Sequence, residues 1–436
     1  MIVPTKLFWF LLAAGILLAI LGSVMPGTEL LLIPYNLCLF GAMIATGMLA
    51  RKWDFVQVRR KVDPIMSVRV PNLVRLEVEN VSDSPLSLVV RDEPPQSANS
   101  TESEFSATIE PGRSKTLSYH VTPFERGAEE FHGTYIRFLA PLGLCSIQKK
   151  IENDQKVRVY PNVLAVKEFE LLKQRGRLDL MGVRKSRIRG LGTEFESLKD
   201  YNEDDYRTID WKASARKGRL VVRNFEQERN QGLVVCFDIG RHMLSEINGV
   251  KKLDYALDAG LILMHAAERE GDQVGLLVFD DEVRTYIAPK KGRAQVAAVL
   301  NAMHDLKAEP IESNPGLAFA YLATKWKRRS LLVVFTDVEN EDQAKELTAS
   351  LAQLRKHHLV LVVRVSDPKL RELKALSAAD AYEIYKKSAA LLYEIERQEA
   401  EDHIQSAGLQ SLGSEPQDLS AALVSSYLKF KALNMI

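Results

Sequence analysis

Two apolar stretches without a charged residue, residues 7–25 and 30–50, open the chain on either side of the polar turn Pro26-Gly27-Thr28-Glu29. A helix rises about 1.5 Å per residue, so each stretch is long enough for a hydrocarbon core about 30 Å thick. A cleaved signal peptide would have a shorter apolar run and no second one directly after it. The pattern predicts a transmembrane helix hairpin over residues 1–52. Pro34 and Asn36 in its second helix fit either a kink or helix–helix contact, or tolerated passengers.

From Val68 the period changes to two. Val74, Leu76 and Val78 alternate with polar neighbours, and the run Asn80-Val81-Ser82-Asp83-Ser84-Pro85 breaks the pattern before Leu86, Leu88 and Val90 resume it. Phe105, Ala107 and Ile109 lead to the turn Pro111-Gly112, followed by Leu117, Tyr119 and Val121. With further short strands near 135–138 and 157–160, this spacing predicts an antiparallel β-sandwich over residues 53–161. Residues 96–104 read as a loop. Catalytic residue types do not cluster here, so a spacer or docking role is expected.

Residues 232–436 carry a third pattern. Leu233-Val234-Val235-Cys236-Phe237-Asp238 is a continuous apolar run ending in an acid, which suits a buried parallel strand. A helix over 253–269, a strand over 274–279 and a hairpin through 283–287 follow. Helices over 294–306 and 316–327 precede Leu331-Leu332-Val333-Val334-Phe335-Thr336-Asp337. A helix over 342–355, the strand Leu359–Val365, a long charged helix over 378–405 and a closing helix over 419–433 complete the unit. This alternation specifies a doubly wound α/β sheet, with ligands expected at the carboxyl ends of its strands.

Charge sharpens two of these points. Lys6 precedes the hairpin and Arg51, Lys52, Arg59, Arg60 and Lys61 follow it, whereas the turn holds Glu29 alone. Cationic flanks stay inside, so a two-pass protein of the plasma (inner) membrane is expected, with both termini and the soluble domains cytoplasmic. Between the sandwich and the α/β unit lies a charged connector, residues 162–231. There the basic run Lys173, Arg175, Arg177, Arg184, Lys185, Arg187 and Arg189 gives way to Glu194, Glu196, Asp200, Glu203, Asp204 and Asp205. Such blocks form two solvated faces, a docking surface or a patch for anionic headgroups.

Composition excludes several classes. With 46% hydrophobic and 26% charged residues the chain is neither disordered, a coiled coil, nor a multi-pass transporter. A formal charge of +1 leaves no field to draw it onto nucleic acid. Gly190 and Gly192 give GxG, but Phe195 stands at the third glycine position, and no GxxxxGK[ST] occurs, so a nucleotide is not expected. Cys38, Cys145 and Cys236 form no CxxC pair, zinc spacing or disulfide framework, which fits a reducing compartment.

Gly192-Thr193-Glu194-Phe195-Glu196, Leu198, Tyr201 and the run from Asp204 to Arg216, which includes Asp205, Arg207, Asp210, Trp211 and Lys212, closely resemble the hallmark of the "domain of unknown function 58" family. Leu220, Val222-Arg223, Phe225-Glu226 and Pro141-Leu142-Gly143-Leu144 continue the likeness. Read physically, Trp211 is a large apolar group expected to find companions in Ile209 and Phe195. Arg207, Arg216 and Arg223 can fork onto Glu194, Asp205 or Glu226, so the segment is either an ion-paired clasp or a partner-binding surface.

The family's C-terminal half resembles a von Willebrand factor type A domain, and 232–436 carries that likeness. The resemblance implies a divalent cation held by Asp-x-Ser-x-Ser and by a later Thr and Asp. Asp238 is kept, Gly240 and His242 replace both hydroxyl residues, Asp337 matches the late acid, and Ser313 is a loose stand-in for the Thr. The site therefore reads as degenerate, with no cofactor expected and weak Mg²⁺ or another divalent ion as the alternative. Asp238 and Asp337 would repel unless a cation lay between them, and an Arg241 clamp or a similar internal ion pair is expected to supply it. A catalytic role for His242, Asp238 or Ser313 has little support. The expected function is a membrane-anchored, cytoplasm-facing scaffold or adaptor, not an enzyme. By resemblance its protein partners include a MoxR-type AAA+ ATPase. A divalent-metal-dependent hydrolase on the α/β unit is the rival.

Overall fold

Alternation decides the first unit. In a computed structural model that describes residues 2–22, 31–51, 55–162, 166, 171, 194–201, 209–226, 230–375 and 380–436, Val74, Leu76 and Val78 are buried along the strand Asn72–Asn80 while Arg75 and Glu79 face solvent. That strand lies between Val56–Val62 and Ser114–Pro123 in an antiparallel sheet edged by Ala98–Ser100. A second antiparallel sheet runs in the order Ile2–Pro4, Cys145–Ile151, Thr134–Leu139, Leu86–Arg91, Glu104–Ile109. Both contribute to one core, with Tyr119 and Val121 from the first and Val90, Ile136 and Ile147 from the second. A smaller sheet joins Ile65–Ser67, Gln155–Tyr160 and Gly127–Phe131. Contacts divide the described chain into two units, Met1–Tyr160 and Pro161–Ile436.

One cation read as a membrane flank has another task. Arg60 has a side chain only 1% exposed and paired with a fully buried Asp92. Its Nε donates to Asp92 at 3.0 Å and its Nη1 to the carbonyl of Asn153 at 2.8 Å, while Tyr119 and Thr134 donate hydroxyl protons to the same carboxylate. The guanidinium also lies 5.0 Å from the Phe131 ring centre. A charge withdrawn from water persists only when paired and fully hydrogen-bonded, and this pair is both. Arg60 therefore belongs to the interior of the β unit and drops out of the positive flank.

The helices Lys6–Gly22 and Leu32–Arg51 lie side by side within this unit. The Tyr35 hydroxyl donates to the Leu11 carbonyl at 2.6 Å, and Phe8 and Phe40 meet edge to face at 5.3 Å. The Thr5 hydroxyl donates to the Gly143 carbonyl at 2.7 Å, and Phe8 and Leu39 pack with Leu144. The strand Ile2–Pro4, unforeseen in the sequence reading, pairs with Cys145–Ile151 and ties the first helix to the sheet. Pro34 is the third residue of its helix, where its missing N–H removes no bond, so it makes no kink. Among the described residues, Leu32–Ala50 is the helical stretch long and apolar enough to cross a bilayer, and Lys6–Ile16 is a shorter apolar one.

In the second unit the strand order is Val283–Lys290, Gln273–Phe279, Gly232–Asp238, Ser330–Phe335, Leu359–Val365, Gln410–Ser414. Only the first pair is antiparallel. Successive residues of Gly232–Asp238 face opposite layers. Leu233, Val235 and Phe237 join a core with Lys252–Arg269, Arg293–Met303 and Pro416–Ala432, whereas Val234 and Cys236 join one with Pro315–Lys325, Glu341–Leu351 and Ala381–Ser406. Helix starts follow side-chain caps, Asn314 accepting from the Leu317 N–H, Asn340 from Gln343 and Asp380 from Glu383. The region is thus α/β, with helices on both faces of a mainly parallel sheet.

Candidate functional site

Strand order reverses at Gly232–Asp238, whose neighbours are Gln273–Phe279 on one side and Ser330–Phe335 on the other. The carboxyl end of such a strand opens the crevice where α/β sheets bind ligands. Asp238 stands there, buried, and Thr336 and Asp337 follow the adjacent strand.

Hydroxyls close around Asp238. Its Oδ1 accepts from the Ser313 hydroxyl and from the Gly240 N–H at 2.9 Å, and its Oδ2 accepts from Thr336 Oγ1 at 2.7 Å. Ser313 arrives because its loop is stitched to the strand end, Glu309 N–H donating to the Ile239 carbonyl at 2.9 Å and Arg241 N–H to the Ile311 carbonyl at 2.8 Å. Gly240 leaves the space that this hydroxyl fills, for a Cβ at 240 would collide with Ser313 Oγ. Burial pushes the Asp238 carboxyl above its usual range, and the Ser313, Gly240 and Thr336 hydrogen bonds oppose that shift.

An internal ion pair does meet Asp337, but its cation is Lys252 and not the expected Arg241. Lys252, the first residue of the helix Lys252–Arg269, pairs its ammonium with Asp337, and both side chains are buried. Arg241 turns outward instead, pairing with the exposed Glu312 at 2.6 Å. In the turn Arg241–Leu244 it is Met243 that points into the core, which leaves the Arg241 guanidinium toward solvent. His242 lies 3.7 Å from Glu312 and 3.9 Å from Glu339. Nearby, burial first and then the Asp337 and Glu339 carboxylates push the Tyr393 phenol up to about 12.

As a divalent-cation site this set is short of donors. Magnesium asks for near-octahedral oxygens at about 2.0–2.1 Å. Both Asp238 oxygens already accept hydrogen bonds, the Asp337 charge is met by an ammonium, and positions 240 and 242 offer no hydroxyl. The residues as arranged do not fit that ion. Lys252 had a signal in the sequence: it falls on the same helical face as the buried Ala256, Ala259 and Leu263, so its side chain must point inward.

The motif segment builds a small separate element. The strands Glu194–Asp200 and Val221–Glu226 pair antiparallel, with Glu194 opposite Glu226 and Leu198 opposite Arg223, and the Tyr201 N–H donates to the Leu220 carbonyl at 3.0 Å. Between them the helix Trp211–Lys217 starts at Asp210, whose side chain accepts from the Ala213 N–H at 2.9 Å, and ends at Gly218 with φ 66°. Trp211 is 68% exposed, so it is not the buried centre of a clasp. The buried face of this seven-residue helix is taken by Ser214, which accepts from the Val221 N–H at 3.0 Å. Lys212 and Arg216 are exposed. Asp205 and Arg207 lie outside the described residues.

A curated relative, Uncharacterized protein YeaD of Bacillus subtilis (strain 168), is 28% identical over 128 residues, which cover 29% of this chain and 31% of that protein. The chain thus matches under a third of that relative's length. Among solved structures, the conserved hypothetical protein BatB from Bacteroides thetaiotaomicron is 13% identical with a TM-score of 0.31, over 47% of this chain and 99% of that one. Proximal thread matrix protein 1 from the mussel byssus is likewise 13% identical, with a TM-score of 0.27, over 47% of this chain and 46% of its own. Residues 198–402, which carry the Trp211 motif and most of the α/β unit, match the family described as Protein of unknown function DUF58.

Proposed function

We propose that this chain is a membrane-anchored scaffold or adaptor that engages protein partners through a type A-like α/β domain stripped of its cation. The observation that carries this reading is the Lys252–Asp337 pair. It places a fixed positive charge where a metal-dependent domain would need a mobile one. Asp238 is likewise satisfied from within by Ser313, Thr336 and Gly240. A strand end closed in this way supports binding by shape and surface more than turnover. The rival, a divalent-metal-dependent hydrolase, draws on the convergence of Asp238, Ser313 and Thr336 oxygens. A dication there would be repelled by the neighbouring ammonium.

The two N-terminal helices form a two-pass hairpin in this reading, with Phe10, Ile33 and Leu37 facing lipid as their exposure suits. Lys6, Arg51, Lys52 and Arg59 keep the positive-inside bias after Arg60 is removed from the count, so the soluble units face the cytoplasm of a bacterial inner membrane. The segment 194–226, with Trp211 exposed, is a docking surface in this account. A MoxR-type AAA+ ATPase is the partner implied by the family resemblance. Crosslinking capture from native membranes tests this: the ATPase should be recovered with the wild type and lost with Trp211→Ala. Equal recovery from both would remove the motif from the interface, and no recovery from either would reject the partner.

A further inference from the structure

At one corner of the β unit two leucines stay outside its core. Leu139 ends the strand Thr134–Leu139 at 59% exposure, and Leu142, in the turn Pro141–Gly143, is 71% exposed. Leu142 holds φ 67°, a left-handed conformation that glycine or asparagine adopts far more readily than a branched apolar residue. The chain thus accepts backbone strain at a position that presents an apolar side chain outward. The helices show what lies beside it. Thr5, one residue before the helix Lys6–Gly22, donates its N–H to the Leu144 carbonyl at 3.1 Å, besides its hydroxyl bond to Gly143. Leu144 packs with Phe8 in the first turn of that helix and with Leu39, well inside Leu32–Arg51. The turn therefore reaches past the start of one helix and alongside an inner part of the other. The second helix runs directly into the β unit, because its last turn delivers Ala50 to the β core.

This inference rests on the reading of the two helices as a membrane hairpin. Lipid that surrounds them at the level of Phe8 and Leu39 then meets the turn as well. Trp9, exposed beside Phe8, is the residue type that gathers at the lipid–water boundary. Polarity along the strand runs in the same sense. Arg137 is exposed on the same outward face as Leu139, about 7 Å farther from the turn. With Thr5, Leu139 and Ser146 it lines a groove of about 490 Å³. Leaving the turn, the outward side chains therefore pass from leucine to a guanidinium and hydroxyls, the order in which a bilayer passes from acyl chain to phosphate. We propose that the Leu139–Leu142 corner of the β unit inserts into the headgroup–acyl boundary of a phospholipid bilayer, with Arg137 against lipid phosphate, so that this unit sits on the membrane surface.

The test uses the full chain with Cys38→Ser, whose other cysteines, Cys145 and Cys236, are buried. Single cysteine variants carry a polarity-sensitive dye in nanodiscs of phosphatidylcholine and phosphatidylglycerol, and lipids with a nitroxide on the upper acyl chain quench any dye they touch. Leu37→Cys reports the hairpin, and Leu142→Cys and Leu139→Cys report the corner. Asp154→Cys is the control, just beyond the opposite end of the strand Cys145–Ile151, roughly 20 Å away. Blue-shifted emission and quenching at 142 and 139, approaching that at 37, are expected, with neither at 154. Leu139 lies on a regular strand, so its readout stands if Leu142→Cys disturbs the turn. Quenching at 37, with 142 and 139 as unquenched as 154, would overturn the proposal and leave the hairpin intact. An unquenched label at 37 would overturn both. Blue-shifted but unquenched labels at 142 and 139 would mean that protein covers the corner, which also overturns the proposal.

Discussion

Lys252 and Asp337 concentrate the physical argument in one contact. A buried charge that loses its partner is left unpaired in a low dielectric, so Lys252→Ala is expected to cost about 3–5 kcal/mol. Replacing both groups by apolar ones, Lys252→Met with Asp337→Leu, should recover most of that loss, because no unpaired charge remains. Denaturant melts of the two variants check this, and a double variant no better than the single one would contradict it. Asp238 gives a pH signature. Its folded carboxyl is raised above the unfolded value near 3.9, so its contribution is full below about pH 4 and is lost as pH rises through the raised value. Asp238→Asn keeps the acceptor for Ser313 and Gly240 and cannot ionise. The variant should therefore gain stability relative to the wild type as pH rises above the unfolded value, as thermal melts over a pH series would show. At this scale the sequence was partly legible. Asp238 and Asp337 announce themselves as acids ending apolar strands, and their need for a cation follows from charge alone. Choosing Lys252 over Arg241 required helical phase, because loop neighbours of an acid are close in sequence and need not be close in space.

At the scale of elements, the capped helix Trp211–Lys217 separates chemistry from bulk. Asp210→Ala removes a cap and should cost about 1 kcal/mol. Trp211→Ala, at an exposed site, should stay within about 0.5 kcal/mol. The smaller residue thus outweighs the larger one, and melts of the two variants decide it: a Trp211→Ala loss of several kcal/mol would mean the ring is buried after all. Continuous apolar strands such as Leu359–Val365 were legible to the residue, because burial on both faces leaves no ambiguity of period. Ile2–Pro4 and Gln410–Ser414 were not. The first is three residues long beside an apolar helix, and the second, Gln-Ser-Leu-Gly-Ser, becomes a strand only through pairing with Leu359–Val365 at the sheet edge. Neither carries a period that a window could detect.

For the whole molecule, the N-terminal helices and the charges around them set the expected topology. A phosphatase reporter active only outside the cytoplasm, fused after Ile436, should be inactive in cells. Activity would reverse the orientation and the adaptor reading with it. The carboxyl end of the parallel sheet is closed by its own side chains, Ser313 and Thr336 on Asp238 and Lys252 on Asp337. Calorimetric titration of the full chain in detergent with Mg²⁺ tests that most directly. A strand end neutralised by Lys252 predicts no saturable heat in the micromolar range, for the wild type and for Asp238→Ala alike. Micromolar Mg²⁺ binding that disappears in Asp238→Ala would contradict it and return the site to metal-dependent chemistry.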